Sequence, residues 1–275
     1  MSMDFKRILL PLDLMQDRLN SIAFTEKLNA SLNSEIILTH IYNTGESDMT
    51  PDMHLIKEQQ MDQIKNSFES HGYRVSIRMI SGNIEEEILN VSQQMDCDLI
   101  VMEHHSSGNH HSGHKSISTR VSQASRIPVL IVPEHYSLNE FKRIIIGVDP
   151  DLQNEQELIL FSKFARRFHS IITLLSATGN RPMKEVRNQL ENLAMKIASH
   201  FQNHILLTDV IESQKTKKAL INFSENTDAD LLVLFTHRRE MMEQAFDPGI
   251  SKELIERCEI PVMTIPYQKK PVYFL

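Results

Sequence analysis

The chain repeats itself, and that fact limits its folds more than any other. Phe5-Lys6-Arg7-Ile8-Leu9-Leu10-Pro11-Leu12-Asp13 returns as Phe141-Lys142-Arg143-Ile144-Ile145-Ile146-Gly147-Val148-Asp149. Asp98-Leu99-Ile100-Val101-Met102 returns as Asp230-Leu231-Leu232-Val233-Leu234. Ile127-Pro128-Val129-Leu130-Ile131-Val132-Pro133 returns as Ile260-Pro261-Val262-Met263-Thr264-Ile265-Pro266. These landmarks keep nearly the same spacing, so the repeating object is a whole domain rather than a short solenoid unit. The expected domains are residues 1–136 and 137–275, with the joint near 134–140. A chain of 275 residues has room for two such cores.

Each copy alternates short apolar runs with amphipathic stretches. In the first copy, strands are expected at residues 7–12, 36–42, 74–80, 99–102 and 129–132. Helices are expected around 22–32, 53–71, 84–95 and 116–125. Apolar runs without polar alternation indicate strands buried on both faces, hence a parallel sheet covered by helices on each side. In the second copy, Val186, Leu190, Leu193 and Ile197 fall on one face of a helix over 183–201. Ligands of open parallel sheets bind beyond the carboxyl ends of the strands, at the switch point. Asp13, Ile41 and Glu103 fall at such ends. A net charge of −7 argues against a general nucleic-acid binder. No run is apolar enough to span a bilayer, and the apolar stretch after Lys6-Arg7 stops at Asp13, too short for a signal peptide. Two cysteines, Cys97 and Cys258, build no disulfide framework and suit a reducing compartment, so a cytoplasmic protein is expected.

A first strand ending in Pro-x-Asp, a second ending in Thr-His-Ile, an Asp-Leu-Ile-Val-Met strand and a final Ile-Pro-Val-Leu-Ile-Val together resemble the universal stress protein family, here in tandem. The resemblance covers almost the whole chain. It implies two doubly wound, five-stranded, mostly parallel Rossmann-like α/β domains of the adenine-nucleotide alpha hydrolase-like type, related by a pseudo-twofold. The last strands, Val129-Leu130-Ile131-Val132 and Val262-Met263-Thr264-Ile265, are the implied seam. Many members bind ATP through a glycine-x-x-glycine loop after the fourth strand and a later glycine-serine or glycine-threonine. Glycines there let backbone N–H groups approach phosphate, and a helix N-terminus adds a favourable dipole. Aligned on the strand, Glu103 and Ser106 replace the two glycines, His105 matches a histidine of the family's loop, and Lys115-Ser116 replaces glycine-serine. In the second copy Phe235-Thr236-His237-Arg238 fills the loop, again without its glycines, and Thr236-His237 looks like the family's threonine-histidine. The residues so assigned to a cofactor are Asp13, Ile41, Glu103, His105, Ser116, Asp149, Thr236 and His237. ATP or another adenine nucleotide is expected to bind weakly, because side chains crowd the phosphate and Glu103 repels it.

The stretch Glu103-His104-His105-Ser106-Ser107-Gly108-Asn109-His110-His111-Ser112-Gly113-His114 also presents metal-ligand chemistry. A site would draw on His105, His110, His111 and His114, with Glu103 beside them. Ser112-Gly113 interrupts the helical spacing of His110 and His114, and no cysteine lies nearby. A solvated loop without resident metal is the expectation. No Gly-x-Ser-x-Gly elbow occurs, and no nucleophile is placed beside Glu103 and His105, so no enzyme is expected. The expected role is regulatory or adaptor in a stress response, with a protein partner. Symmetric pairing is the commonest oligomer, so a homodimer is the expected assembly. The alternatives are a nucleotide-binding member with little or no hydrolysis and a metal-binding module.

Overall fold

The computed structural model describes residues 5–15, 19–43, 50–104, 116–137, 140–151, 155–236, 255 and 257–267. The chain divides into two compact units, Met1–Asn139 with Glu259–Pro261, and Glu140–Cys258 with Val262–Leu275.

In the first unit the order is β1 (Arg7–Pro11), α1 (Asn20–Leu32), β2 (Glu35–Asn43), α2 (Pro51–Ser70), β3 (Val75–Gly82), α3 (Ile84–Gln94), β4 (Leu99–His104), α4 (Ile117–Ala124) and β5 (Val129–Pro133). The strands lie in the order β3-β2-β1-β4-β5, every pairing parallel. The chain runs outward from β1 to β3 and then returns to β4. The switch point therefore lies between the carboxyl ends of β1 and β4. Ile8, Leu9 and Leu10 in β1 and Leu99, Ile100 and Val101 in β4 are wholly buried. Neighbouring side chains alternate between faces, so a run buried at every position requires cover on both.

The second unit runs β6 (Arg143–Gly147), α5 (Glu155–Ala165), β7 (Ile171–Ala177), α6 (Met183–Ile197) with a 3-10 turn (Ala198–Phe201), β8 (Ile205–Ile211), α7 (Thr216–Asn226), β9 (Leu231–Thr236) and β10 (Val262–Pro266). Its order is β8-β7-β6-β9-β10, again with parallel pairings. Val186, Leu190, Leu193 and Ile197 form the buried face of α6, matching their spacing.

The repeated aspartates hold the two halves of each sheet together. Asp98 Oδ2 accepts the Lys6 and Arg7 N–H groups at 2.7 and 3.1 Å, tying the start of β4 to the start of β1. Asp230 Oδ2 does the same for Lys142 and Arg143, at 2.8 Å each. Asp96 and Asp228, two residues upstream, both take left-handed backbone, which turns the chain from helix into strand; Asp tolerates that region better than most residues.

Candidate functional site

The carboxyl edge of the first unit is closed by its own side chains. Past β1, the Leu12 N–H donates to the Thr39 carbonyl at 2.8 Å, and the buried His40 donates from Nδ1 to the Leu12 carbonyl at 2.9 Å. Lys57, on the buried face of α2, donates from Nζ to the Leu14 carbonyl. Leu14, Ile41, Tyr42 and Lys57 are all buried. The Tyr42 ring meets His40 edge-on at 4.8 Å between centroids and lies 4.6 Å from His54. Burial, and then the Glu58 carboxylate, push the Tyr42 phenol upward, so it stays protonated. Asp13 is exposed and accepts the Met15 N–H at 3.1 Å, the short-range turn of an aspartate two residues upstream.

Glu103 is the decisive group. The expected loop begins too early at this residue, because β4 continues through Glu103 and His104, which pair with Val132 and Pro133 of β5. Ile41 likewise lies within β2 rather than beyond it. Glu103 is 8% exposed, and its Oε2 accepts the Ser21 N–H at 3.2 Å. That N–H belongs to the first turn of α1, whose own N-cap is Leu19 and supplies no side-chain bond. Helix N-terminal N–H groups need an acceptor and favour negative charge, and Glu103 provides both from another element. Its Oε1 is buried without a hydrogen-bond partner among the described residues. Across the edge, Ser116 is the N-cap of α4. Its Oγ accepts the Thr119 N–H at 3.2 Å and lies 2.8 Å from Thr119 Oγ1 and 3.1 Å from Ser118 Oγ. Ser118 Oγ is in turn 3.2 Å from His104 Nδ1. The hydroxyl assigned to phosphate is thus already a helix cap.

In the second unit Asp149 is covered by a cation. Its Oδ1 accepts the Asp151 N–H at 3.1 Å and lies 3.4 Å from Arg181 Nη1. The same guanidinium nitrogen pairs with Asp151, whose other oxygen accepts from Gln189 Nε2 at 3.0 Å. Arg181 sits in the turn after β7. Gly179 takes φ +59° there, and its N–H donates to the Ser213 carbonyl at 3.1 Å. Thr236 ends β9, and its carbonyl accepts the Tyr267 N–H at 3.0 Å. His105, His110, His111, His114 and His237 lie outside the described residues. Among the described residues, no group of three or more His, Cys, Asp or Glu could hold a metal ion. Nor is any helix there long and apolar enough to cross a membrane.

The family model for universal stress proteins matches the sequence twice, over residues 4–133 and 140–266. The chain belongs to the universal stress protein family. Among solved structures, a universal stress protein from Archaeoglobus fulgidus superposes with a TM-score of 0.76 at 16% identity, covering 98% of each chain. One from Pseudomonas aeruginosa gives 0.67 at 14% identity, covering 96% of this chain and 94% of that one. The cytoplasmic domain of a prokaryotic cation chloride cotransporter gives 0.56 at 14% identity, covering 94% of both. At these identities the likenesses establish the fold alone. No curated protein matches the sequence.

Within this universal stress protein, two groups at the sites escape a reading of motifs. Lys57 stands where α2 should bury an apolar residue, since 57, 61, 64 and 68 share one helical face and Met61 and Phe68 are buried. That interruption was the available signal. Arg181, in a Gly-Asn-Arg-Pro turn, carries no signal of its contact with Asp149, 32 residues away.

Proposed function

We propose that the protein is a regulatory or adaptor module of the stress response whose two nucleotide seats are filled by its own side chains. The carrying observation is the buried Glu103 carboxylate, which stands at the first glycine position of the phosphate loop and is held there by the Ser21 N–H of α1. A phosphate oxygen about 4 Å from a carboxylate meets about 4 kcal/mol of repulsion at an effective dielectric of 20. That equals the whole binding free energy of a ligand with a Kd of about 1 mM. The base and ribose side is equally occupied in this reading. Leu14, Ile41, Tyr42 and Lys57 are buried with no ligand needed to cover them, and Arg181 neutralises Asp149 in the second unit. Catalysis finds little support at the one cysteine beside β4: burial, and then Asp98, push the Cys97 thiol up to about 12, so it offers no thiolate near neutral pH.

Calorimetric titration with ATP tests this reading. A Kd weaker than about 100 μM is expected, equivalent to less than about 5.5 kcal/mol. Glu103→Gly should tighten binding by ten-fold or more. Low-micromolar affinity in the wild type, lost in Asp13→Ala, would instead establish a nucleotide-binding member.

A further inference from the structure

The connection after the first strand follows the same path in both units. The Leu12 and Val148 N–H groups donate to the Thr39 and Leu175 carbonyls, each at 2.8 Å. The Met15 and Asp151 N–H groups return to Oδ1 of Asp13 and Asp149, each at 3.1 Å. These connections carry the two aspartates assigned to a cofactor, and they leave the first strand of each unit at the switch point of its sheet.

Each connection is also tied to the second helix of its unit, from the same helical position but by different chemistry. Counted from Pro51, Lys57 is the seventh residue of α2; counted from Met183, Gln189 is the seventh of α6. Four residues on, Met61 and Leu193 are both buried, so the two helices present the same face here. Lys57 Nζ donates to the Leu14 carbonyl. Gln189 Nε2 donates to Asp151 Oδ1 at 3.0 Å. Arg181, just before α6, reaches Asp149 at 3.4 Å and also pairs with Asp151. The tie recurs although none of its residues does. An ammonium on a carbonyl in one unit matches an amide and a guanidinium on carboxylates in the other. Helix packing does not explain Lys57, since a methionine there would continue the apolar face with no buried charge to satisfy.

The two ties differ in their response to salt. Arg181, Asp149 and Asp151 have side chains 27%, 23% and 52% exposed, so dissolved ions screen their attraction. Lys57 is 8% exposed and its partner is a carbonyl, so screening reaches it far less.

We infer that α2 and α6 latch the connections 12–15 and 148–151 over the base side of each seat, and that rising ionic strength releases the second unit's latch alone. The inference rests on the filled-seat reading above and names what keeps the base side filled. Release frees the Asp149 carboxylate from Arg181, so that it can accept an N–H of a neutral base.

The test uses adenosine, which carries no phosphate to meet Glu103 and no charge for salt to screen. Calorimetry follows its binding to the full chain in about 0.05 and about 0.5 M NaCl. Wild-type affinity should rise ten-fold or more with salt. Arg181→Met with Gln189→Leu should bind at least ten-fold tighter than wild type at low salt, with no further gain at high salt. Lys57→Met should open the first unit at either salt concentration, and adding Asp13→Asn should abolish that gain. Hydrogen exchange over residues 148–151 should quicken with salt in the wild type while residues 12–15 hold still. Should the double variant misfold, Gln189→Leu alone should still quicken exchange over 148–151 three-fold or more. Faster exchange with unchanged adenosine affinity would make the ties merely structural and overturn the proposal. So would salt that moves both connections alike, or neither. Those results beside weak ATP binding sink the latches alone; low-micromolar ATP binding by the wild type sinks the filled-seat reading, and the latches with it.

Discussion

Removing the Glu103 side chain separates its capping role from its charge. Glu103→Ala and Glu103→Gln both delete the buried negative charge, so any relief from its desolvation is common to the two and cancels in their difference. Gln keeps an oxygen for the Ser21 N–H, the contact made at 3.2 Å in the wild type. Ala leaves that N–H without its acceptor, and Leu19 offers α1 no replacement. A lost N-cap bond costs about 1 kcal/mol. The buried Cγ methylene that Ala lacks costs about another 1 kcal/mol. The Ala variant should therefore hold α1 about 2 kcal/mol less firmly than the Gln variant, close to 30-fold in an opening equilibrium. Because the chain has two units, a global denaturation curve would blend their transitions. Hydrogen exchange resolved over the α1 amides is the appropriate assay. Exchange rates for the two variants within three-fold of each other would refute the claim that Glu103 caps the helix.

In the second unit, Arg181→Ala should lower stability by only about 0.5–1 kcal/mol at low ionic strength, because the partners are partly exposed, and the loss should fade in 1 M salt. A salt-independent loss in thermal melts would contradict that. His204 supplies a pH dependence. Burial holds its pKa below the usual histidine value, and the positive charges of His169 and Arg166 add to this, although a bond to the Ser170 carbonyl opposes them. The unfolded chain then takes up the proton first, so stability contributed above pH 6.5 is lost as pH falls through 6.5 toward the lower folded value. Hydrogen exchange in β7 and β8 should quicken from pH 7 to pH 5.5 after correction for intrinsic rates, and His204→Asn should flatten the change; an unaltered slope in that variant would assign it elsewhere. Cys97, its thiol pushed up to about 12, should resist iodoacetamide at pH 8 until the first unit unfolds; rapid labelling of the native protein would show that the strand start is accessible.

The sheets were legible because their evidence is long-range and duplicated. Three repeated segments mark β1, β4 and β5 and their counterparts β6, β9 and β10, and the repeated Asp98 and Asp230 mark how β4 and β9 are pinned to β1 and β6. The end of β4 was less legible: Glu103-His104 reads as loop when aligned on glycines, but backbone pairing with Val132 and Pro133 carries the strand through them. The filling of the sites was legible only in part. The charge of Glu103 is visible in sequence, whereas its seat on α1 depends on β1 and β4 being neighbours. Lys57 betrays itself by interrupting an apolar face, and Arg181 does not. The exposure of Ile205 and Leu207 was hidden because Ile205-Leu206-Leu207 has the composition of a buried strand.

Native mass spectrometry of untagged protein, purified without added nucleotide, tests the filled-seat account most directly. A bare chain of 31.8 kDa is expected, unchanged by gentle desolvation and by incubation with 10 μM ATP. A stoichiometric adduct with the mass of an adenine nucleotide, present as isolated and lost in Asp13→Ala, would contradict it.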